Sequence, residues 1–369
     1  MNTWVKILIV FVVAMISLGA VMVLTASGTY SMMKWDSNFH LFQNHFTKIL
    51  IAVAGLYVFS KIKYEKYRKY TKIALFAIIA VLIYTYFYSP KIKGAQRWLD
   101  LGFIQFQPSE AAKIILIMHL SLMLEKYGEK IKDFKNGFLF PLIWVGIVGA
   151  LVLVQPNVST AVIIVITSFI LLFVAGARPK HVFGILAGAS FIIGAAAYLL
   201  THSRERILTY IDSLINGGDI NVQVKQAKIA LGSGGWVGIG AGHSRQSDLF
   251  LPESYGDFIF SILGEEWGFI GSVTILALYF SLFLVCMVIA KKSQDKFGQL
   301  MVLGLGFNII ISAFINAAVV TGLLPTTGIT LPFISFGGTS IILYAISIGI
   351  IINVGRQTVR TSELKIQQI

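Results

Sequence analysis

Asp257 is the residue whose type and place in the sequence most clearly allow chemistry. It ends a polar, glycine-rich stretch, and an apolar run begins at the next residue, Phe258. A carboxylate at such a junction can cap a helix by accepting backbone N–H groups. It can instead face a hydrated cavity at a membrane surface and act as a general base. Position alone leaves both interpretations open.

A second group of polar residues precedes another apolar run. It combines Ser109 and Glu110 with the cations Lys93, Arg97 and Lys113. Three cations in one segment could bind a diphosphate through charge-assisted hydrogen bonds. The alternatives are structural: Ser109 as a helix N-cap, Glu110 as a complement to the helix dipole, and lysines that reach for the membrane interface.

Two further segments are rich in residues that break regular structure. Residues 232–242 hold six glycines, whose exposed N–H groups could receive phosphate oxygens, or whose turns could simply make a compact loop. Residues 321–338, here called the Pro/Gly loop, hold two prolines and four glycines. Irregular backbone at membrane depth is tolerated only where protein or a wet cavity covers it. We therefore expect the Pro/Gly loop to be re-entrant and to line a cavity.

Several classes of function find no support in the sequence. The six histidines are dispersed and Cys286 is the single cysteine, so we assign no metal site and no cofactor, and we leave open a divalent cation that assists the reaction. No Walker motif is present, which argues against a nucleotide-driven pump. The net charge of +13 comes from cations scattered between apolar runs, a pattern typical of membrane proteins and not of nucleic-acid binding.

Membrane helices must position these side chains. Hydrophobic residues make up 56% of the 369 residues and charged residues only 13%, which predicts an all-α polytopic membrane protein. Ten apolar runs predict ten transmembrane helices. They are residues 7–26, 49–60, 73–89, 111–124, 137–155, 160–176, 182–201, 258–290, 299–320 and 339–354.

Most of the 30 Lys and Arg residues fall in every second connection when the N-terminus is placed inside. The positive-inside rule then puts both termini in the cytoplasm. We expect one domain over residues 1–369 in the cytoplasmic membrane. A large extracellular loop between helices 7 and 8, residues 202–257, is here called the long loop. Both it and the Pro/Gly loop would lie on the outer face, so we expect the active site there.

Several motifs, in order along nearly the whole chain, resemble the SEDS family of membrane proteins. They are Gly94–Trp98, Phe106–Glu110, Gln155–Pro156, Val174–Arg178, Gly234–Gly238, Leu251–Glu253, Asp257–Phe260, Gly264–Gly268 and Gly322–Gly338. The segments Val174–Arg178 and Ser244–Gln246 are more similar to the FtsW/SpoVE branch than to RodA. The chain departs from the family pattern at Asn157, Ser159, Ser247 and Tyr255–Gly256.

The resemblance implies a peptidoglycan glycosyltransferase that polymerises lipid II at the outer face of the membrane, together with a class B penicillin-binding protein and other cell-wall machinery. It implies that Asp257 and Glu110 are catalytic. Arg97 and Lys113 would bind the lipid diphosphate, and we add five candidate substrate-binding residues from the same outer segments: Gln107, Ser109, Arg245, Glu253 and Ser335. Two alternatives stay open: a lipid II flippase, and a catalytically idle scaffold for the penicillin-binding protein.

Overall fold

The computed structural model describes residues 3–90, 95–100, 102, 105–216, 221–248 and 250–366. The described residues are mostly helical, with one two-residue antiparallel strand pair. The helices are α1 (Thr3–Trp35), α2 (His40–Lys61), α3 (Glu65–Tyr88), α4 (Pro108–Tyr127), α5 (Leu139–Val154), α6 (Val158–Val174), α7 (Pro179–Leu199), α8 (Thr201–Ile215), α9 (Val222–Ser233), α10 (Ile259–Lys291), α11 (Lys296–Val320) and α12 (Thr339–Ile366). The strands are β1 (Leu99–Asp100) and β2 (Gln105–Phe106).

A helix lies over each of the ten apolar runs, while α8 and α9 lie within the long loop. Among the described residues, seven helical segments are long and apolar enough to cross a membrane: α1, α3, residues 134–154, α7, α10, α11 and residues 339–357. The expected all-helical membrane protein is therefore confirmed. The count of ten spans stays a prediction, because α2, α4 and α6 do not meet the same length and hydropathy limits.

The helices pack around α11, many of whose side chains are buried. It contacts α4, α6, α10 and α12, and α12 in turn packs along α2. At the other extreme, α7 is largely exposed and packs against α6 and α8. A central helix with fixed neighbours is a rigid base for polar side chains, whereas α7 lies at the edge of the bundle.

A kink in α10 fixes the glycine-rich end of the long loop. Gly268 takes a left-handed φ of 69° inside the helix. The backbone groups that the kink frees form hydrogen bonds with residues 235–240. Ile239 N–H donates to Glu265 O at 3.0 Å, and Phe269 N–H donates to Gly235 O at 2.8 Å. A methyl group at Gly238 would lie 2.1 Å from Glu266 O. These glycines therefore permit close backbone packing, which favours the compact-loop alternative over a phosphate nest.

Candidate active site

Asp257 lies just before α10 but does not hold the N-cap position. That position belongs to Phe258, and the helix begins at Ile259. The chain is turned towards the helix by Glu253, which has a φ of 60° and accepts a hydrogen bond from Gly256 N–H at 2.9 Å. Asp257 itself is partly exposed. The simple capping interpretation is thus wrong, and the carboxylate can face solvent.

The Pro/Gly loop lies directly beside this carboxylate. Gly328 has a φ of 75°, and a Cβ atom built on it would lie 3.5 Å from Asp257 Oδ2. One side chain holds the backbone of both the long loop and the Pro/Gly loop: Asn316 Nδ2 donates at 2.7 Å to Asp257 O and at 2.7 Å to Ile329 O. The long loop and the Pro/Gly loop also meet where Phe336 N–H donates to Tyr255 O at 2.9 Å.

Other side chains fix the remainder of the Pro/Gly loop through its carbonyl groups. Ser159 Oγ donates to Thr327 O at 3.1 Å. From α8, Arg206 Nη1 donates to Thr326 O at 3.2 Å and Tyr210 Oη donates to Leu323 O at 2.7 Å. Within the loop, Ser335 Oγ accepts from Leu331 N–H at 2.7 Å. A segment of 18 residues without helix or strand is therefore held in one conformation by its neighbours.

A cavity of about 220 Å³ opens between α6, α8 and the Pro/Gly loop. Two arginines, Arg97 and Arg206, line it, and the described residues of its wall include no acidic side chain. Burial lowers the pKa of each guanidinium; the neighbouring Arg206 lowers the pKa of Arg97 further, while the carboxylate of Asp257 opposes the shift at Arg206. Both arginines remain charged at neutral pH. The cavity is suited to an anionic ligand.

Arg97 is held in place by backbone carbonyls at the end of α5. Its Nε donates to Gln155 O at 3.2 Å and its Nη2 to Pro156 O at 2.5 Å. These contacts leave other N–H groups of the fork for a ligand, since a guanidinium has five donors. Lys93, the third member of the cationic segment, lies outside the described residues.

Glu110 and Lys113 form a buried ion pair, with Lys113 Nζ 2.8 Å from Glu110 Oε1 and side-chain exposures of 12% and 3%. The ammonium group also lies 5.7 Å from the centre of the Tyr344 ring and hydrogen-bonds to that side chain. Lys113 lines a separate, small cavity with Thr167, Ser168 and Asn308. The sequence grouped Lys113 with Arg97, but the structure places the two cations in different cavities.

The remaining candidate residues have the following places. Gln107 N–H donates to Thr339 Oγ1 at 2.9 Å, joining the start of α4 to the start of α12. Ser109 is fully buried and accepts from Asn157 Nδ2 at 3.1 Å; its expected N-cap role is wrong, because α4 begins at Pro108 and Gln107 is the N-cap residue. Arg245 is exposed, and its backbone N–H donates to Glu265 Oε1 at 3.2 Å.

Glu265, one of two acids in the first turns of α10, stabilises the long loop. It is 1% exposed and accepts from Ser233 Oγ, Ser244 Oγ and the N–H groups of Arg245 and Gln246. A buried carboxylate with this many donors is satisfied. Its contacts are those of a structural residue.

Arg206 and Asn316 are the site residues that sequence reasoning missed. For Arg206 the available signal was the charged stretch at residues 204–206, near the start of the long loop. Only the turn between α7 and α8 brings this side chain to the cavity. Asn316 stands within an apolar run, where a buried amide costs free energy unless it is hydrogen-bonded; that cost was the available signal. Among the described residues, no three His, Cys, Asp or Glu side chains gather as metal ligands.

Fold and site together define a polytopic helical membrane protein with an arginine-lined cavity near an aspartate. The comparisons agree with that class. The model of the FtsW/RodA/SpoVE family, described as "Cell cycle protein", matches residues 6–360. The chain belongs to this family, as the motif resemblance implied.

Individual relatives cover nearly the whole chain. A probable peptidoglycan glycosyltransferase FtsW of Geobacter sp. (strain M18) is 34% identical over 94% of this chain and 95% of its own. Stage V sporulation protein E of Bacillus subtilis (strain 168) is 34% identical and 95% of this chain is covered. A solved structure from a peptidoglycan synthase complex that coordinates polymerization and crosslinking has a TM-score of 0.78 at 24% identity, over 95% of this chain and 97% of its own. At that identity the likeness concerns the fold.

Proposed function

We propose that this protein is a peptidoglycan glycosyltransferase that polymerises lipid II into glycan strands. The main support for the proposal is that Asp257 lies next to a cavity lined by Arg97 and Arg206. A lipid-linked sugar donor presents a diphosphate leaving group and an anomeric carbon. The site offers cations for the first and a carboxylate close to the second. The glycosyltransferase names of the family relatives support the same chemistry.

In the proposed reaction, the acceptor hydroxyl attacks the anomeric carbon of the donor. The new glycosidic C–O bond forms while the C–O bond to the diphosphate breaks, so polyprenyl diphosphate leaves with the bonding electron pair. Asp257 accepts the hydroxyl proton. Arg97 and Arg206 stabilise the charge that develops on the leaving group, which is the type of electrostatic contribution that is often the largest in catalysis. Glu110 acts through its ion pair with Lys113, and we keep its catalytic role as a prediction.

We further propose ten membrane spans, with both termini in the cytoplasm and the cavity on the outer face of the cytoplasmic membrane. The distribution of Lys and Arg supports this orientation, and the ten helices over the ten apolar runs support the number of spans. A class B penicillin-binding protein is the proposed partner, because a similar fold occurs in a complex for polymerization and crosslinking.

The test is polymerisation of lipid II by the purified full chain, with and without the partner. Asp257→Asn keeps the size of the side chain and removes the base, so the rate should fall by about 10²–10⁴-fold. Strand formation at the wild-type rate by Asp257→Asn would contradict the assignment. Lipid II transfer across liposomes without strand formation would instead support a flippase. Runs with Mg²⁺ and with EDTA test the divalent cation that the sequence leaves open.

A further inference from the structure

Asn316 makes an unusual pair of contacts. It lies near the end of α11 and is 1% exposed. Its one amide nitrogen donates two hydrogen bonds of 2.7 Å, to the carbonyl of Asp257 in the long loop and to the carbonyl of Ile329 in the Pro/Gly loop. A single side chain therefore joins the residue proposed as the base to the loop that faces it.

The chemistry of the two partners determines the orientation of the amide. Carbonyl oxygens accept hydrogen bonds and cannot donate them, so the NH₂ group of Asn316 must point towards both. A carboxylate of the same size has no donor and would place an oxygen against two carbonyl oxygens. A serine hydroxyl has one donor and could satisfy only one of them. Asparagine is thus the smallest side chain that can hold both loops from this position.

Both tethered residues border the proposed reaction site. Ile329 lines the arginine cavity, and the preceding Gly328 lies beside Asp257 Oδ2. Asn316 stands on α11, the buried helix that contacts α4, α6, α10 and α12. Its main chain is therefore firmly placed, and the amide transmits that placement to the carboxylate and to the cavity wall.

We propose that Asn316 is a positioning residue that sets the distance between the Asp257 carboxylate and the arginine cavity. This inference rests on the proposed function and goes beyond it, because it assigns the geometry of the base to one side chain of α11. A displacement of about 1 Å at a reacting group can reduce a rate by about 100-fold. We therefore expect about 10- to 100-fold lower kcat when either of the two hydrogen bonds is lost.

The variants are Asn316→Asp and Asn316→Ser, and the matched control is Asn353→Asp. Asn353 is also a buried asparagine that ties two backbone segments: its Oδ1 accepts from Tyr64 N–H and its Nδ2 donates to Ser60 O, each at 2.9 Å. It lies far along α12 from the cavity. We expect the control to lose stability but to keep kcat per folded molecule within about twofold of wild type.

The split between kcat and KM separates positioning from simple loss of folded protein. Position 316 is 1% exposed and faces two carbonyl oxygens. A carboxyl placed there by Asn316→Asp is therefore protonated, because a buried charge without a counter-ion is too costly, and it has a single O–H donor. Neither Asn316 variant adds a charge, and Arg97 and Arg206 stay in the cavity wall, so kcat should fall while KM for lipid II stays within about threefold of wild type.

Hydrogen exchange gives a readout that does not need activity. Each Asn316 variant keeps one donor, so exchange should increase in at least one of the segments 255–260 and 325–335, and Asn353→Asp should leave both segments as in wild type. Near-wild-type kcat in both Asn316 variants, or unchanged exchange in both segments, would overturn the inference. A rate loss matched by an equal loss of folded protein, or a rise in KM with kcat unchanged, would also overturn it. An inactive wild type with the expected exchange pattern would instead refute the proposed function alone.

Discussion

Breaking the Glu110–Lys113 pair tests whether these two residues serve stability or chemistry. The pair is nearly removed from solvent, with exposures of 12% and 3% and a separation of 2.8 Å. Glu110→Gln would leave the ammonium of Lys113 buried without its counter-ion, and Lys113→Met would do the same to the carboxylate. Removal of one partner from a buried pair costs about 3–5 kcal/mol.

The expected change in melting temperature follows from that cost. At about 2 °C per kcal/mol, suited to a chain of this size, Tm should fall by about 6–10 °C in each single variant. The double variant Glu110→Gln/Lys113→Met leaves no unpaired charge, so it should recover most of the loss. Thermal unfolding in detergent, followed by intrinsic fluorescence, measures all three.

The chain provides a control with the same spacing. Glu129 and Lys132 also form an i,i+3 ion pair, but their side chains are 86% and 51% exposed. Glu129→Gln should therefore change stability little. Equal effects of Glu129→Gln and Glu110→Gln on Tm would refute the burial argument. Polymerisation by the double variant then decides the role of Glu110: a stable but inactive double variant indicates chemistry, and an active one indicates a structural pair.

Three further changes test other parts of the site. Arg206→Gln removes a cation from the cavity wall. Because a hydrogen bond to a charged group contributes about 1.5–3 kcal/mol, kcat/KM for lipid II should fall about 10- to 150-fold in a substrate titration. Asp133 caps the turn before α5 by accepting from the Asn136 and Lys135 N–H groups, and these bonds lower its pKa. The resulting stabilisation is present above the unfolded-state pKa and is lost as pH falls through the folded-state pKa. The Tm difference between wild type and Asp133→Ala should therefore shrink in acid, and a constant difference would contradict this expectation. Gly238→Ala would set a methyl group 2.1 Å from a backbone oxygen of α10, so folded yield and Tm should both fall, whereas Gly232→Ala, with open space around it, serves as the control.

The class of the fold was predictable from the amino-acid sequence. Apolar runs with few charges cannot be buried in a soluble domain of this size, and a helix satisfies its own backbone in lipid. The change from polar loop to apolar run also identified Asp257 as a residue at the membrane surface. The prolines and glycines of residues 321–338 predicted irregular backbone, and the structure has no helix or strand there.

Which of those residues lie close together depends on how the helices pack. Arg97 and Lys113 are close in sequence but line different cavities, because α4 carries Lys113 into the bundle while Arg97 remains in the connection before it. Arg206 joins Arg97 only because α8 follows the turn after α7, and Asn316 meets Asp257 only because α11 packs against α10. Local patterns encode burial and backbone preference, whereas a contact between distant segments depends on how the helices pack, and that depends on the whole set of interfaces.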